Sequence, residues 1–392
     1  MTAAGSAALP VASPDVRASL RLAGVLAVSW MVLLVIGFAM LRQPGALAEG
    51  NPVSGGRAAF VSASVGAMNG FVLDFAHPGD FSPGVRAVFV LQTLSSLLLT
   101  LVGGGVLWAR VLGRPYSDAQ VTRTAIVMLL IGVAVGLLAH RGDEGYGVAV
   151  VRGLCALGNG GVLFGASPRP GPVFSLGLVP LSLLGSLGVV VVRDLYHACF
   201  GTSKLPDHAV RVVTLTAVVY LAAVGLLMAA THVAGHAWRA ELTRFDALVW
   251  TARGWGEPVE FASGFSDGVF AILLGVAAVG VGTAGTAGAL GVGWLFTVPQ
   301  RLRATILNGL TAQAVIAAAT MAALAWFEPS LFPARRVLVT LSAVMNLGLS
   351  HDALSITGTS LFALTAAMIA AKLAPLVLFA YTLLRPPAET TP

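Results

Sequence analysis

Residues 342–350 read "SAVMNLGLS", inside an uncharged run from Val337 to Ser350 that lies between Arg336 and His351. The run is 14 residues long, and a helix needs about 20 to cross a bilayer. It is too apolar for an ordinary loop, and its Asn346-x-Gly348 ending does not suit a helix interior. Such a segment fits a half-crossing: a short helix that enters an apolar medium, turns at a glycine and leaves by the face it entered.

The rest of the chain supplies the medium. Of 392 residues 57% are hydrophobic and only 10% charged, against about 25% charged in soluble domains. That excludes the soluble globular class and makes the chain an integral membrane protein. The uncharged windows 22–41, 87–109, 170–192, 212–238, 268–300, 304–327 and 353–371 are each long enough to span, and 124–140 is at the short end, which predicts eight spanning helices. The first window precedes "ALA" at 46–48, but its apolar run exceeds that of a signal peptide and a 21-residue Ala/Ser/Pro-rich tail comes before it, so it reads as a retained helix. Cys155 and Cys199 are too few for a disulfide framework.

Three more short segments resemble the first in kind: "AAFVSASVGAMNGFVL" (58–73), "GLCALGNGGVLFG" (153–165) and "EFASGFSDGVFAI" (260–272). The order is helix, short segment, helix, four times over, with glycines at comparable points: Gly70, Gly161, Gly268 and Gly348. Non-helical backbone at membrane depth is tolerated only where protein or a water-filled path surrounds it. Four such turns around one axis would leave carbonyls free to replace the hydration shell of a cation. The bland alternative is four buried kinks or surface loops in a chain with 46 glycines; four segments in phase favour the path.

Rival motifs are weaker. "GFSDG" (264–268) fits Gly-x-Ser-x-Gly, yet His351 is the only histidine after Ser266, and that nucleophile pattern needs a strand–turn–helix setting. The chain therefore reads as no enzyme. "HVAGH" (232–236) lacks the glutamate of zinc proteases, and "DLYHACF" (194–200) reads as a solvated helix end.

The quoted segments resemble the Trk/Ktr/HKT superfamily of potassium transporters, whose filter motif runs Ser-Ala-x-x-Asn-x-Gly-Phe/Leu-Ser. "SAVMNLGLS" is similar throughout, "ALGNGGV" (156–162) keeps Asn159 and Gly161, "SVGAMNGF" (64–71) keeps Ser64 and Gly70, and "SGFSDGV" (263–269) keeps little beyond Gly268. "LLGSLGVVVVRDL" (183–195), "VGGGV" (102–106), "GTAGTAGALG" (282–291) and "MIAAKLAPL" (368–376) resemble stretches of the family's second helices. The likeness covers about residues 20–385. It departs at Gly291, where the family has a lysine, at Lys372 for an arginine, and at Asp267 for a small apolar residue.

The resemblance implies an all-α integral membrane protein of four helix–pore-hairpin–helix repeats, with eight spanning helices and four re-entrant half-helices around one ion path. The units would be 22–112, 113–200, 201–303 and 304–385, with disordered tails at 1–21 and 386–392. The implied function is potassium uptake through a carbonyl filter formed by Asn69, Gly70, Phe71, Gly160, Gly161, Val162, Asp267, Gly268, Val269, Leu347, Gly348 and Leu349, with potassium held at the carbonyls of Gly70, Gly161, Gly268 and Gly348. In the family a serine at the first of these glycines goes with sodium transport, and this chain has Gly70.

The stretch 275–293 holds seven glycines, a weak helix that reads either as close helix packing or, by the resemblance, as an intramembrane gate of Gly282, Gly285, Gly288 and Gly291 facing Lys372. Asp74 and Asp352, four residues beyond their glycines, would make the outer mouth negative. No cofactor is expected, with potassium as substrate. Expected partners are the lipid bilayer, a cytosolic nucleotide-binding regulatory subunit of the RCK type and a second copy of the chain, with no nucleic acid. The place expected is the cytoplasmic membrane, with both termini cytosolic. The alternative is a non-conducting scaffold or sensor that keeps the fold.

Overall fold

The computed structural model describes residues 13–47, 52–71, 80–140, 145–160, 177–201, 204–233, 290–345 and 358–385, together with 272, 275, 278, 279, 286 and 356. In chain order the described elements are α1 (Pro14–Leu41), α2 (Gly55–Gly66), α3 (Pro83–Leu98), a π-helical stretch (Leu99–Gly104), α4 (Gly105–Val111), α5 (Asp118–Leu138), α6 (Tyr146–Gly158), α7 (Val179–Leu187), α8 (Val189–Phe200), α9 (Asp207–Val233), α10 (Trp294–Thr297), α11 (Gln300–Phe327), α12 (Pro333–Val344) and α13 (Thr359–Leu384). The described residues form no strand, only the isolated bridge Leu47–Phe81.

Five of these are long and apolar enough to cross a membrane: α1, α3 continued through the π stretch into α4, α5, α11 and α13. The pair α7 and α8, bent by 104° at one residue, makes a sixth if it is taken as one span. At 27 residues α9 is also long enough, and the window 268–300 is only partly described. On α1 the residues Ala23, Trp30, Leu34 and Leu41 are buried at helical spacing, while Val25, Val28, Val32 and Val35 are all more than half exposed. An apolar stripe of that kind on the outside belongs against lipid tails. The chain is a multi-pass, all-helical membrane protein.

Two sequence expectations need correction. The tail drawn at 1–21 ends too late, because α1 begins at Pro14. Ser13 accepts a hydrogen bond from the Val16 amide, proline stands at the first helical position and Asp15 lies in the first turn, which together start a helix in polar sequence. The window 170–192 is not one straight span either. Residues 171–176 lie outside the description, α7 ends at Leu187, and Gly188 has φ +81, a conformation that admits glycine and stops the helix.

The short helices α2, α6 and α12, of 12, 13 and 12 residues, begin on one face, which we call the half-helix face. This follows because the long helices they follow all start at the other, where Ser19 bonds Asp118 and Arg301 bonds the Val111 carbonyl. Each follows a long helix: α2 packs on α1, α6 on α5 and α12 on α11. The α5–α6 contact is close because Gly132, Gly136 and Gly153 meet backbone to backbone. Such small-residue faces are how helices approach in lipid, where water does not drive them together.

The opposite face carries the ion pairs found among the described residues. Arg110 pairs with Asp118 at 2.9 Å, and Ser19 donates to the same carboxylate at 2.8 Å. Arg114 pairs with Asp194 at 3.1 Å, and the Tyr116 hydroxyl donates to Asp194 at 2.5 Å. Arg193 lies 4.9 Å over the Tyr116 ring, which also stacks on His197. Burial first, and then the bond to Asp194, push the Tyr116 phenol up to about 12. The run 194–200 is an exposed helix end at Tyr196, Cys199 and Phe200, as expected, but Asp194 at its start is buried and neutralised by Arg114. Both ends of the described chain lie on this face, since Ser19 reaches Asp118 and Phe379 reaches Trp108.

Removing a buried counter-charge costs more than removing an exposed one. Asp194→Ala should destabilise the protein by about 3 kcal/mol. Asp118→Ala, whose pair with Arg110 is about a fifth exposed on each side, should cost about 1 kcal/mol or less. Thermal unfolding midpoints in detergent compare the two.

Candidate functional site

A helix that stops inside a membrane leaves its last carbonyls without partners. In the first unit α2 stops at Gly66, and the Gly66 carbonyl accepts from the Trp30 indole at 2.7 Å. The chain then reverses. Met68 and Gly70 have φ of +61 and +72, and the amides of Asn69 and Gly70 both return to the Ser64 carbonyl, at 2.7 and 3.4 Å. The Ser64 hydroxyl accepts from the Phe71 amide at 2.9 Å. Ser64 thus binds three successive residues of the turn, and Phe71 packs on Phe60 behind it. Deeper in α2, the Gln92 amide of α3 donates to the Ser62 hydroxyl and to the Leu33 carbonyl of α1, joining the three helices of this unit.

The second unit solves the same problem with other residues. Asn159 ends α6 in the left-handed conformation, φ +52, which asparagine tolerates better than most. The Gly160 amide returns to the Cys155 carbonyl at 3.1 Å. Ser182 of α7 donates to the Ala156 carbonyl at 2.8 Å, and Thr286 donates to the Leu157 carbonyl at 2.7 Å. The Asn159 side-chain amide donates to the Ser182 carbonyl at 2.8 Å and to the Thr286 hydroxyl at 3.0 Å. In the fourth unit, Gln313 of α11 donates to the Val344 carbonyl at the end of α12, at 3.3 Å.

These ends come together. Asn69 donates to the Ala343 carbonyl at 3.4 Å, joining the first unit to the fourth. The Met68 side chain lies on Gly158, where a Cβ would collide with it, joining the first unit to the second. Asn159 and Thr286 join the second to the third. Near the opposite face Trp294 stacks on Phe379, joining the third to the fourth, with ring centroids 5.9 Å apart. The first three of these contacts lie at the half-helix ends, and the fourth lies at a separate point.

That second meeting point is aromatic. Trp108 at the end of α4, Trp294 of α10 and Phe379 of α13 are all buried together. His208 at the start of α9 joins them: one ring nitrogen is 2.9 Å from the Thr297 carbonyl and the other accepts from the Trp108 indole at 3.4 Å. A carbonyl only accepts, so Nδ1 carries the proton and Nε2 is the acceptor.

Of the residues singled out from sequence, Asn69, Gly70, Phe71 and Gly160 are buried at the junction. Gly161, Val162, Asp267, Gly268, Val269, Leu347, Gly348 and Leu349 lie outside the described residues, as do Asp74, Asp352, Gly282, Gly285 and Gly288. Gly291 is buried just before α10, its carbonyl accepting from the Trp294 amide at 3.0 Å. Lys372 is partly buried on α13, one turn before Pro375, and among the described residues it makes no ion pair. Sequence reasoning missed Trp30, Ser182, Thr286 and Gln313. An amide side chain inside a spanning window, as Gln313 is, was the signal available.

No protein-family model matches the chain, and no curated protein does. Among solved structures the chain is similar to the potassium transporter TrkH from Vibrio parahaemolyticus, with a TM-score of 0.66 and 15% sequence identity, over 92% of this chain and 83% of that one. At that identity the likeness is one of fold.

Gly185 is the tightest point of the second unit's cap: a Cβ there would fall on the Leu157 carbonyl oxygen and against Thr286. Gly185→Ala should destabilise the protein by about 2 kcal/mol or more. Gly225→Ala, on α9 with nothing near it, should be neutral or slightly stabilising. Thermal unfolding of both variants in detergent checks the contrast.

Proposed function

We propose that the chain carries potassium across the cytoplasmic membrane, with sodium as a poorer substrate, through a channel-like path whose filter is built at the junction of the half-helix ends. One observation carries most weight: three half-helices from one face end at a shared junction whose described caps are neutral side chains, and where Met68 and Gly70 at positive φ turn the backbone. A helix C-terminus carries partial negative charge, and carbonyls in a turn can take the place of a cation's water. The fold shared with a potassium transporter supports the same reading.

On this reading the filter is Asn69, Gly70 and Phe71 with Gly160, Gly161 and Val162, Asp267, Gly268 and Val269, and Leu347, Gly348 and Leu349. The half-helix face is external, with Asp74 and Asp352 at its mouth, and both termini are cytosolic. Gly282, Gly285, Gly288 and Gly291 with Lys372 form the gate. The exposed Arg123, Lys204, Arg211 and Arg303 on the opposite face offer a basic surface to a cytosolic nucleotide-binding regulatory subunit, and the chain pairs with a second copy. The membrane potential contributes about 2.3 kcal/mol per charge per 100 mV, so inward cation flux needs no bound fuel.

Potential-driven rubidium uptake into vesicles holding the purified protein tests the proposal, and its absence with and without a regulatory subunit would favour the scaffold reading. Gly70→Ser places a Cβ at φ +72 and should lower the rubidium-to-sodium preference by about tenfold, or about 1.4 kcal/mol. Gly285→Ala with Gly288→Ala should change the uptake rate with little change in that preference. Single cysteines at Val72 and Leu349, in a chain lacking Cys155 and Cys199, should react with an impermeant reagent from outside; reaction from the cytosolic side alone would overturn the orientation.

A further inference from the structure

We propose that Thr286, a residue of the third unit, is a positioning residue for the second unit's filter turn and so helps to set which cation passes; this rests on the transport reading above. Thr286 is 8% exposed, and among the described residues it makes three hydrogen bonds, all to the second unit. Its amide donates to the Gly185 carbonyl at 3.0 Å, its hydroxyl donates to the Leu157 carbonyl at 2.7 Å, and the same oxygen accepts from the Asn159 side-chain amide at 3.0 Å.

The hydroxyl is used in both of its roles, as donor and as acceptor. What it holds is the Leu157 carbonyl in the last turn of α6 and the side chain of the left-handed residue that ends that helix. Gly160, the next residue, begins the stretch assigned to the filter. Asn159 also donates to the Ser182 carbonyl, and Ser182 donates to the Ala156 carbonyl, so Thr286 completes a closed ring of neutral hydrogen bonds around the end of α6. Without it, among the described residues, the Leu157 carbonyl has no side-chain donor and the Asn159 amide keeps only the Ser182 carbonyl. A turn held at one point instead of two can change the spacing of its carbonyls, and carbonyl spacing discriminates cations by size.

The approach of the two units is close enough to need the absence of a side chain at Gly185, where a Cβ would meet both Leu157 and Thr286. Position 286 is therefore pinned by shape as well as by bonding. Valine has the shape of threonine without its hydroxyl, alanine removes both hydroxyl and methyl, and serine keeps the hydroxyl alone.

The test has two readouts on the full-length protein. Hydrogen exchange of the segment 155–160 should rise about tenfold in Thr286→Val, or in Thr286→Ala if the valine variant does not fold, and return to within about twofold of wild type in Thr286→Ser. The rubidium-to-sodium flux ratio in vesicles should fall by about fivefold or more in the first two variants and recover in the third. Unchanged exchange would overturn the positioning role. Raised exchange with an unchanged flux ratio would overturn the role in selectivity. A wild type that carries neither cation would refute the transport reading instead, and the exchange result alone would then decide the positioning role.

Discussion

The constraint on which this fold depends is the fate of a few backbone carbonyls. A helix that ends halfway through a bilayer has neither water nor lipid to satisfy its last turn. Each described half-helix meets that demand with a side chain from a different element: Trp30 for α2, Ser182 and Thr286 for α6, Gln313 and Asn69 for α12. Since the donors come from other helices and other units, capping and assembly are one event. The half-helices cannot keep their ends satisfied unless the units stand in this order around the junction.

This explains how the units can share an architecture with so little shared sequence. The first turn uses Ser64 three times over and places Met68, an unsuitable residue, at φ +61. A non-glycine side chain in the left-handed region costs roughly 1–2 kcal/mol, and here burial of Met68 against Gly158 offsets it. The second turn puts Asn159 at the equivalent point and recruits Ser182 and Thr286 from outside. What is held in common is the set of groups to be satisfied. The residues that satisfy them are free to differ.

That freedom sets what was legible in the sequence. The short uncharged segments and the long windows between them are counts of charge and length, and they located α2, α6 and α12 with their long partners. Gly70 and Gly160 could be placed beside the half-helix ends because a turn at depth favours glycine or asparagine. The break at Gly188 was hidden among 46 glycines, and nothing in "GSLG" (185–188) separates the glycine that breaks a helix from Gly185, which lets one approach. The early start of α1 rests on Ser13, one serine in a polar tail. The caps were least legible of all. Thr286 lies 127 residues from Asn159, and only the folded arrangement brings them together.

The two ends of the molecule are held by different chemistry, and the difference bears on a cation path. At the face opposite the half-helices the bonds are ionic and aromatic: Arg110 with Asp118, Arg114 with Asp194, and the Trp108, Trp294 and Phe379 cluster. Around the half-helix ends the described bonds come from Trp, Ser, Thr, Asn and Gln side chains, all neutral. A fixed ammonium or guanidinium among these caps would repel a cation. Neutral donors leave the helix dipoles and turn carbonyls as the main source of potential, weak enough singly for an ion to enter and leave. The described hydrogen bonds that satisfy the half-helices thus add no charge of their own to the junction.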